Sequence, residues 1–305
     1  MKQAQLERNA CIECDEVLKQ AAMNSRSSIT IFHSPDSDDA FMFYGLVSGA
    51  ISHPDFKFDH DLSDIETLNQ RALKGELDVT AVSVHACAYL KDYVILDCGA
   101  SMGGKDYGPR LVSKSAKALS ELKEIAIPGE LTSAALALRI YLREQGIEVE
   151  LPLMSFDAIQ DAVKNGSVQA GLLIHEGQLT HQREGLATLA DLGRWWWEKY
   201  SLPLPLGVNV ARRSIGAEAI SATAQVLKGS IEYSLAHREE ALKYALQYGR
   251  GLSARDADTF VGMYVNERTV SLGAEGKKSI ELFIARGKEL EILPTAARVE
   301  FALKS

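Results

Sequence analysis

From Ile29 onward the chain alternates short β-rich apolar runs with segments of helical periodicity, and that alternation restricts the fold more than any other feature of the sequence. Strands that alternate with helices pair through crossovers, which gives an open, mainly parallel sheet with helices packed on it. Strands are expected near 29–33, 56–60, 78–82 and 93–98, with helices over Asp39–Gly49 and Ser63–Lys74 between them. Ser63-Asp64-Ile65-Glu66 opens the second helix as a capping box, in which two free backbone donors are satisfied reciprocally. A second series follows, with strands near 124–127, 149–153 and 168–174 and helices over Thr132–Gln145 and Ser155–Asn165. After Leu202-Pro203-Leu204-Pro205-Leu206-Gly207, a strand near 207–211 has no βα series of its own and is expected to return to the first sheet. The remainder reads as helical, including 216–235 and 274–289. The expected architecture is an α/β protein of two lobes. An N-terminal helical extension covers 1–28, the first part of lobe 1 covers 29–113, lobe 2 covers 114–206, and 207–305 returns to lobe 1 and supplies the C-terminal helices. Two lobes joined by two crossings enclose a hinged cleft, where small ligands usually bind.

A net charge of -8 over 305 residues argues against nucleic acid or an anionic membrane as the main partner, since both select clustered Lys and Arg. No apolar run approaches the roughly 20 residues that a membrane helix needs. MKQAQLERNACIECDEVLKQ mixes charges and lacks the apolar centre of a secretory signal, so a cytoplasmic location is expected. Cys11, Cys14, Cys87 and Cys98 are too few for a disulfide framework in a chain of this size. Cys11 and Cys14 form a CxxC without a second ligand pair, and residues 4–23 read as an appended helix with Leu6, Ala10, Cys14, Val17 and Ala21 on one face.

The run Gly171-Leu172-Leu173-Ile174-His175-Glu176-Gly177 is apolar enough for a buried strand and ends in a histidine. Ligands in α/β proteins sit at the carboxyl ends of strands, which makes His175 a candidate for proton transfer as well as for a structural role. Gly99-Ala100-Ser101-Met102-Gly103-Gly104-Lys105-Asp106 nearly fits a phosphate loop. It fails because Asp106 replaces the magnesium-binding hydroxyl residue and Gly108-Pro109 blocks the helix that should follow. As a glycine-rich loop it could still present Lys105 and Arg110 to a carboxylate. Asp36-Ser37-Asp38-Asp39 lacks the glycine and distant glutamate of a calcium loop and is better read as a turn in which an Asp caps a helix beginning near Ala40. Thr132 and Ser133 open a helix after Pro128-Gly129, placed either to bind an anion or simply to cap, and Ser83 at the end of the 78–82 strand is similar in kind. Trp195, Trp196 and Trp197 cannot share one helix face, and core packing is the expectation over a substrate platform.

Taken in order, Asp64-Ile65-Glu66-Thr67-Leu68-Asn69, Thr132-Ser133, Gly171 to Glu176, Ala190-Asp191-Leu192-Gly193 with the tryptophans, and Leu202 to Gly207 resemble the 1,4-dihydroxy-6-naphthoate synthase family of the futalosine route to menaquinone. The likeness runs from about Ile29 to the C-terminus. It implies the two-lobed periplasmic-binding-protein type 2 fold. It also implies a lyase that converts cyclic dehypoxanthinylfutalosine to 1,4-dihydroxy-6-naphthoate with no metal or organic cofactor, His175 accepting the proton and Ser83, Thr132 and Ser133 holding the carboxylic acid substrate. Relatives usually carry Ser-Pro-Cys-Pro-Asn-Asp-Thr where this chain has Ser34-Pro35-Asp36-Ser37-Asp38-Asp39-Ala40, and a lysine where it has Ala81. Lys105 or Arg110 is then expected to supply the charge missing at Ala81. A divergent paralogue, a chorismate dehydratase-like enzyme acting on a related acid, and a non-catalytic solute-binding protein are the alternatives.

Overall fold

In the computed structural model, which describes residues 27–115, 118–249 and 252–303, the first expected strand is β1 (Ser27–His33). The CxxC and the helix expected over 4–23 lie outside the described residues. Ile29, Ile31 and His33 of β1 turn inward, with the period of two that a pleated strand imposes. Helix α1 (Ser37–Val47) follows and buries Phe41, Met42 and Phe43. β2 (Phe56–Leu62) runs parallel to β1 along its whole length.

Helix α2 (Ile65–Leu73) is capped by Asp64, whose carboxylate accepts from Thr67 N at 3.0 Å. The cap therefore falls one residue beyond the box expected at Ser63. Glu66 cannot reach back because its Oε2 accepts from Leu131 N and Asn69 Nδ2, at 3.3 and 3.4 Å.

β3 (Val79–Ser83), buried at every position, pairs in parallel with β1. β4 (Tyr93–Ile95) and β5 (Ser101–Gly103) complete the early strands. The second series contains β6 (Arg110–Ser113), α3 (Ser133–Glu144), α4 (Phe156–Asn165), β7 (Ala170–Leu173), β8 (Ala187–Asp191) and α5 (Leu192–Tyr200). β9 (Leu204–Arg212) then runs antiparallel to β3, β4 and β5, so the chain closes on the first sheet. Helices α6 (Ala217–Ala236), α7 (Ala254–Tyr264) and α8 (Gly273–Glu289) dominate the remainder.

The first sheet, ordered β2-β1-β3-β9-β4 with β5 on β9, is thus mixed rather than mainly parallel. In the second, β6 lies between β7 and β8 and is antiparallel to both. The expected strands near 124–127 and 149–153 remain single parallel bridges, Glu124 to Glu150 and Ile127 to Leu153. Pro152 between the two bridges has no N–H for a ladder. β6 and β8 are short strands that sequence pattern did not single out, and their antiparallel pairing sets Arg110 opposite Asp191.

Candidate functional site

Ile29 and Ile31 hold β1 in the sheet, so the chain leaving its carboxyl end delivers Asp36, Asp38 and Asp39 to a cleft between the two sheets. The cleft measures about 740 Å³ including its open mouth. β3 contributes Ala81 and Ser83, β9 contributes Gly207 and Asn209, α3 contributes Thr132 and Ser133, and the segment after β7 contributes His175.

His175 lies two residues beyond β7 with φ 53°, a left-handed conformation uncommon outside glycine and asparagine. That turn brings its Nδ1 to 3.3 Å from Asp36 Oδ2, and its ring meets Phe156 edge-on at 5.0 Å. A carboxylate facing Nδ1 selects the Nδ1–H tautomer, which leaves the Nε2 lone pair as the basic one. Asp36 is 2% exposed. The expectation that an Asp of this run caps a helix near Ala40 is corrected: α1 begins at Ser37, and Asp36 occupies the cap position without a side-chain cap bond. Its Oδ2 instead lies 2.6 Å from Ser34 Oγ and faces His175.

Two further carboxyl groups stand beside this pair. Asp39 Oδ2 accepts from Ser34 N at 2.9 Å, and burial, outweighing those hydrogen bonds, pushes its pKa up to about 6. Burial, reinforced by the charges of Asp39, Asp36 and Glu176, raises the Asp38 carboxyl well above the usual range. Among the described residues no Lys or Arg lines the cleft to offset them. A group whose pKa is raised by folding stabilises the fold while protonated and loses that contribution as pH rises through its folded pKa. Asp38→Asn, which cannot ionise, is therefore expected to melt higher than wild type by a margin that grows as pH rises above the ordinary carboxylate range. Melting curves of both proteins from acid to alkaline pH check this, and a constant difference contradicts it.

The opposite wall is neutral. Thr132 caps α3, its Oγ1 accepting from Ala135 N at 3.2 Å and donating to Gly129 O at 3.0 Å. Ser133 Oγ donates to Leu206 O and accepts from His85 N at 3.2 Å. Ser83 Oγ accepts from Asn69 Nδ2 at 3.1 Å. His85 Nδ1 lies 3.3 Å from Thr132 O, and burial pushes its pKa down to about 4, so it is uncharged at neutral pH. Positive potential on this wall comes from the N-terminal end of α3, a 12-residue helix, whose first backbone N–H groups suit a carboxylate.

Ser83, Thr132, Ser133, Ala81 and His175 are thus brought together, whereas Lys105 and Arg110 are not among the cleft residues. Lys105 is exposed. Arg110 is committed to Asp191, with Nη1 to Oδ2 at 2.6 Å, and to Asp106 O at 3.0 Å. The charge expected from them to replace a lysine at Ala81 is not delivered to the cleft.

Sequence reasoning passed over Asp36, Asp38 and Asn209 as site residues. For the two acids the available signal was their place just past the carboxyl end of the first strand. For Asn209 it was an amide inside the apolar run Val208-Asn209-Val210. Gln178 and Tyr264 join the lining through a 2.6 Å bond from the tyrosine hydroxyl to Gln178 Oε1.

A family described as menaquinone biosynthesis matches residues 29–289. A 1,4-dihydroxy-6-naphthoate synthase of Thermus thermophilus is 38% identical over 257 residues, covering 84% of this chain and 92% of the relative. A crystal structure of a protein from Archaeoglobus fulgidus superposes with a TM-score of 0.82 at 39% identity, over 87% of this chain and 98% of that one. The alkanesulfonate-binding protein of Xanthomonas axonopodis pv. citri shares only 14% identity but superposes with a TM-score of 0.68, over 90% of this chain and 96% of that one. The shared architecture is the periplasmic-binding-protein-like α/β fold, with helices in the C-terminal part.

Proposed function

The chain belongs to the menaquinone biosynthesis family, and on that footing we propose that it is a lyase converting cyclic dehypoxanthinylfutalosine to 1,4-dihydroxy-6-naphthoate, with His175 as the proton acceptor. The observation that carries the reading is the contact of His175 Nδ1 with the buried carboxylate of Asp36 inside the cleft. Removing a proton next to a carbonyl requires a base whose pKa lies near working pH and whose lone pair is already aimed. Asp36 supplies the aim by holding Nδ1–H, and it stabilises the imidazolium that forms when Nε2 takes the proton. Ser83 and the backbone N–H groups at the N-terminal end of α3, where Thr132 and Ser133 stand, hold the carboxylate of the acid away from Asp38 and Asp39. The half-buried position of His175, 18% exposed on its side chain, limits competition from water for the same nitrogen.

No described helix is long and apolar enough to cross a membrane, and the reaction belongs in the cytoplasm on this reading. Incubating the pure protein with cyclic dehypoxanthinylfutalosine and following 1,4-dihydroxy-6-naphthoate by chromatography tests the assignment. Formation of the naphthoate without added metal or cofactor is expected. Recovery of unchanged starting material, from protein shown to be folded, rejects it.

A further inference from the structure

Asn209 lies inside β9, with strands paired on both sides of it. Ala81 and Val82 of β3 pair with Asn209 and Val208, and β4 lies on its other side. The side chain is 1% exposed. Its amide nitrogen donates to Gly99 O at 2.8 Å. Gly99 has φ 75°, and a Cβ there would lie 2.4 Å from Asn209 Nδ2, so the residue opposite must be glycine for the amide to seat. Because the carbonyl of Gly99 can only accept, the nitrogen and oxygen of this amide are assigned without ambiguity. Asn209 Oδ1 is thereby fixed on the other side, buried, and has no hydrogen-bond partner among the described residues.

A buried amide oxygen left unpaired is costly, and such groups are rare in folded proteins. This one belongs to a residue that lines the cleft, facing a cross-strand neighbour, Ala81, whose methyl group offers no donor. The same cleft also carries Asp36, Asp38 and Asp39, with Ser101 Oγ donating to Asp38 Oδ2 at 3.5 Å. What an unpaired amide oxygen takes is a group that donates a hydrogen bond, and a carboxylate has none to give.

We propose that Asn209 is a specificity-determining residue whose Oδ1 accepts a hydrogen bond from a hydroxyl group of the bound ligand. The α3 terminus takes the acid group of the ligand and Asn209 takes an alcohol, with His175 left to meet the reacting carbon. The rigid clamp on Gly99 makes the acceptor preorganised, so a ligand lacking the hydroxyl leaves it unpaired in the complex as well.

The inference rests on the function proposed above, and the experiment separates the two. Wild type, Asn209→Leu and Asn209→Ala are assayed with cyclic dehypoxanthinylfutalosine and with analogues each lacking one hydroxyl. One deoxy analogue is expected to raise KM about 10- to 100-fold in wild type, the range for leaving a buried acceptor unpaired. In the Asn209 variants the same analogue and the parent compound are expected to behave alike, which a merely structural asparagine does not produce. Should neither variant fold, the wild-type series decides: no single deletion costing more than about 3-fold, less than one ordinary hydrogen bond, overturns the proposal. If a deletion weakens wild type and the variants equally, Asn209 is not the acceptor and the lyase assignment still stands. If wild type neither binds nor converts the parent compound, the lyase assignment falls and this inference with it.

Discussion

His175→Ala is expected to lower turnover of cyclic dehypoxanthinylfutalosine by about 10²- to 10⁴-fold, the usual contribution of a positioned general base, with little change in ligand affinity or melting temperature. Affinity should survive because Ser83, Thr132 and Ser133 stand on β3 and α3, elements that do not depend on His175. Stability should largely survive, because the imidazole contributes mainly one edge-on contact with Phe156 and one ion-pair-like contact with Asp36. The left-handed backbone at φ 53° accepts histidine more readily than alanine, so the variant carries a small added strain. A structural histidine predicts the opposite pattern, a lower melting temperature with activity falling only in proportion to the folded fraction. Turnover, affinity and melting temperature are to be measured on one preparation. Near wild-type turnover from the alanine variant excludes His175 as the base.

The alternation of strands and helices that begins at Ile29 was legible because each element is built from local pattern. β1, α1 and α2 fall within a few residues of where periodicity places them. The return of the chain to the first sheet through β9 was legible from what the sequence lacks there, a following βα series. What stayed hidden depends on partners far away in sequence. Arg110 looked available to a carboxylate until Asp191, 81 positions later, was found against it. An Asp of the 36–39 run looked like the cap of a helix near Ala40 because local rules favour Asp there, but the helix begins at Ser37 and His175, brought in from the other sheet, faces the Asp36 carboxylate. Glu66 had the spacing of a capping box and was drawn off by Leu131 N. In each case a tertiary contact outweighed a local preference worth about 1 kcal/mol. The parallel strands expected in the second lobe shrank to bridges for a reason that could have been read, since Pro152 stands inside one of them.

Trp196→Ala is expected to destabilise the protein by about 3 to 5 kcal/mol, the cost of emptying a large buried aromatic site, while leaving activity per folded molecule unchanged. Of the three adjacent tryptophans only Trp196 is fully buried. Its ring lies 4.3 Å from Tyr200, 5.3 Å from Phe283 and 5.7 Å from Trp195. Phe283 belongs to α8, so this one side chain ties α5 to a C-terminal helix across a long stretch of sequence. The same core cluster takes in Leu111 of β6 and Leu136 of α3. Trp196 Nε1 has no hydrogen-bond partner among the described residues. Trp196→Phe therefore removes an unpaired donor along with part of the ring and should cost distinctly less than the alanine change. Denaturant titration of the three proteins measures the order. Trp196 is not among the cleft residues, so kcat and KM at a temperature where all three are folded should coincide. An alanine variant with unchanged stability and weakened ligand affinity reverses the assignment and makes the tryptophans part of the binding surface.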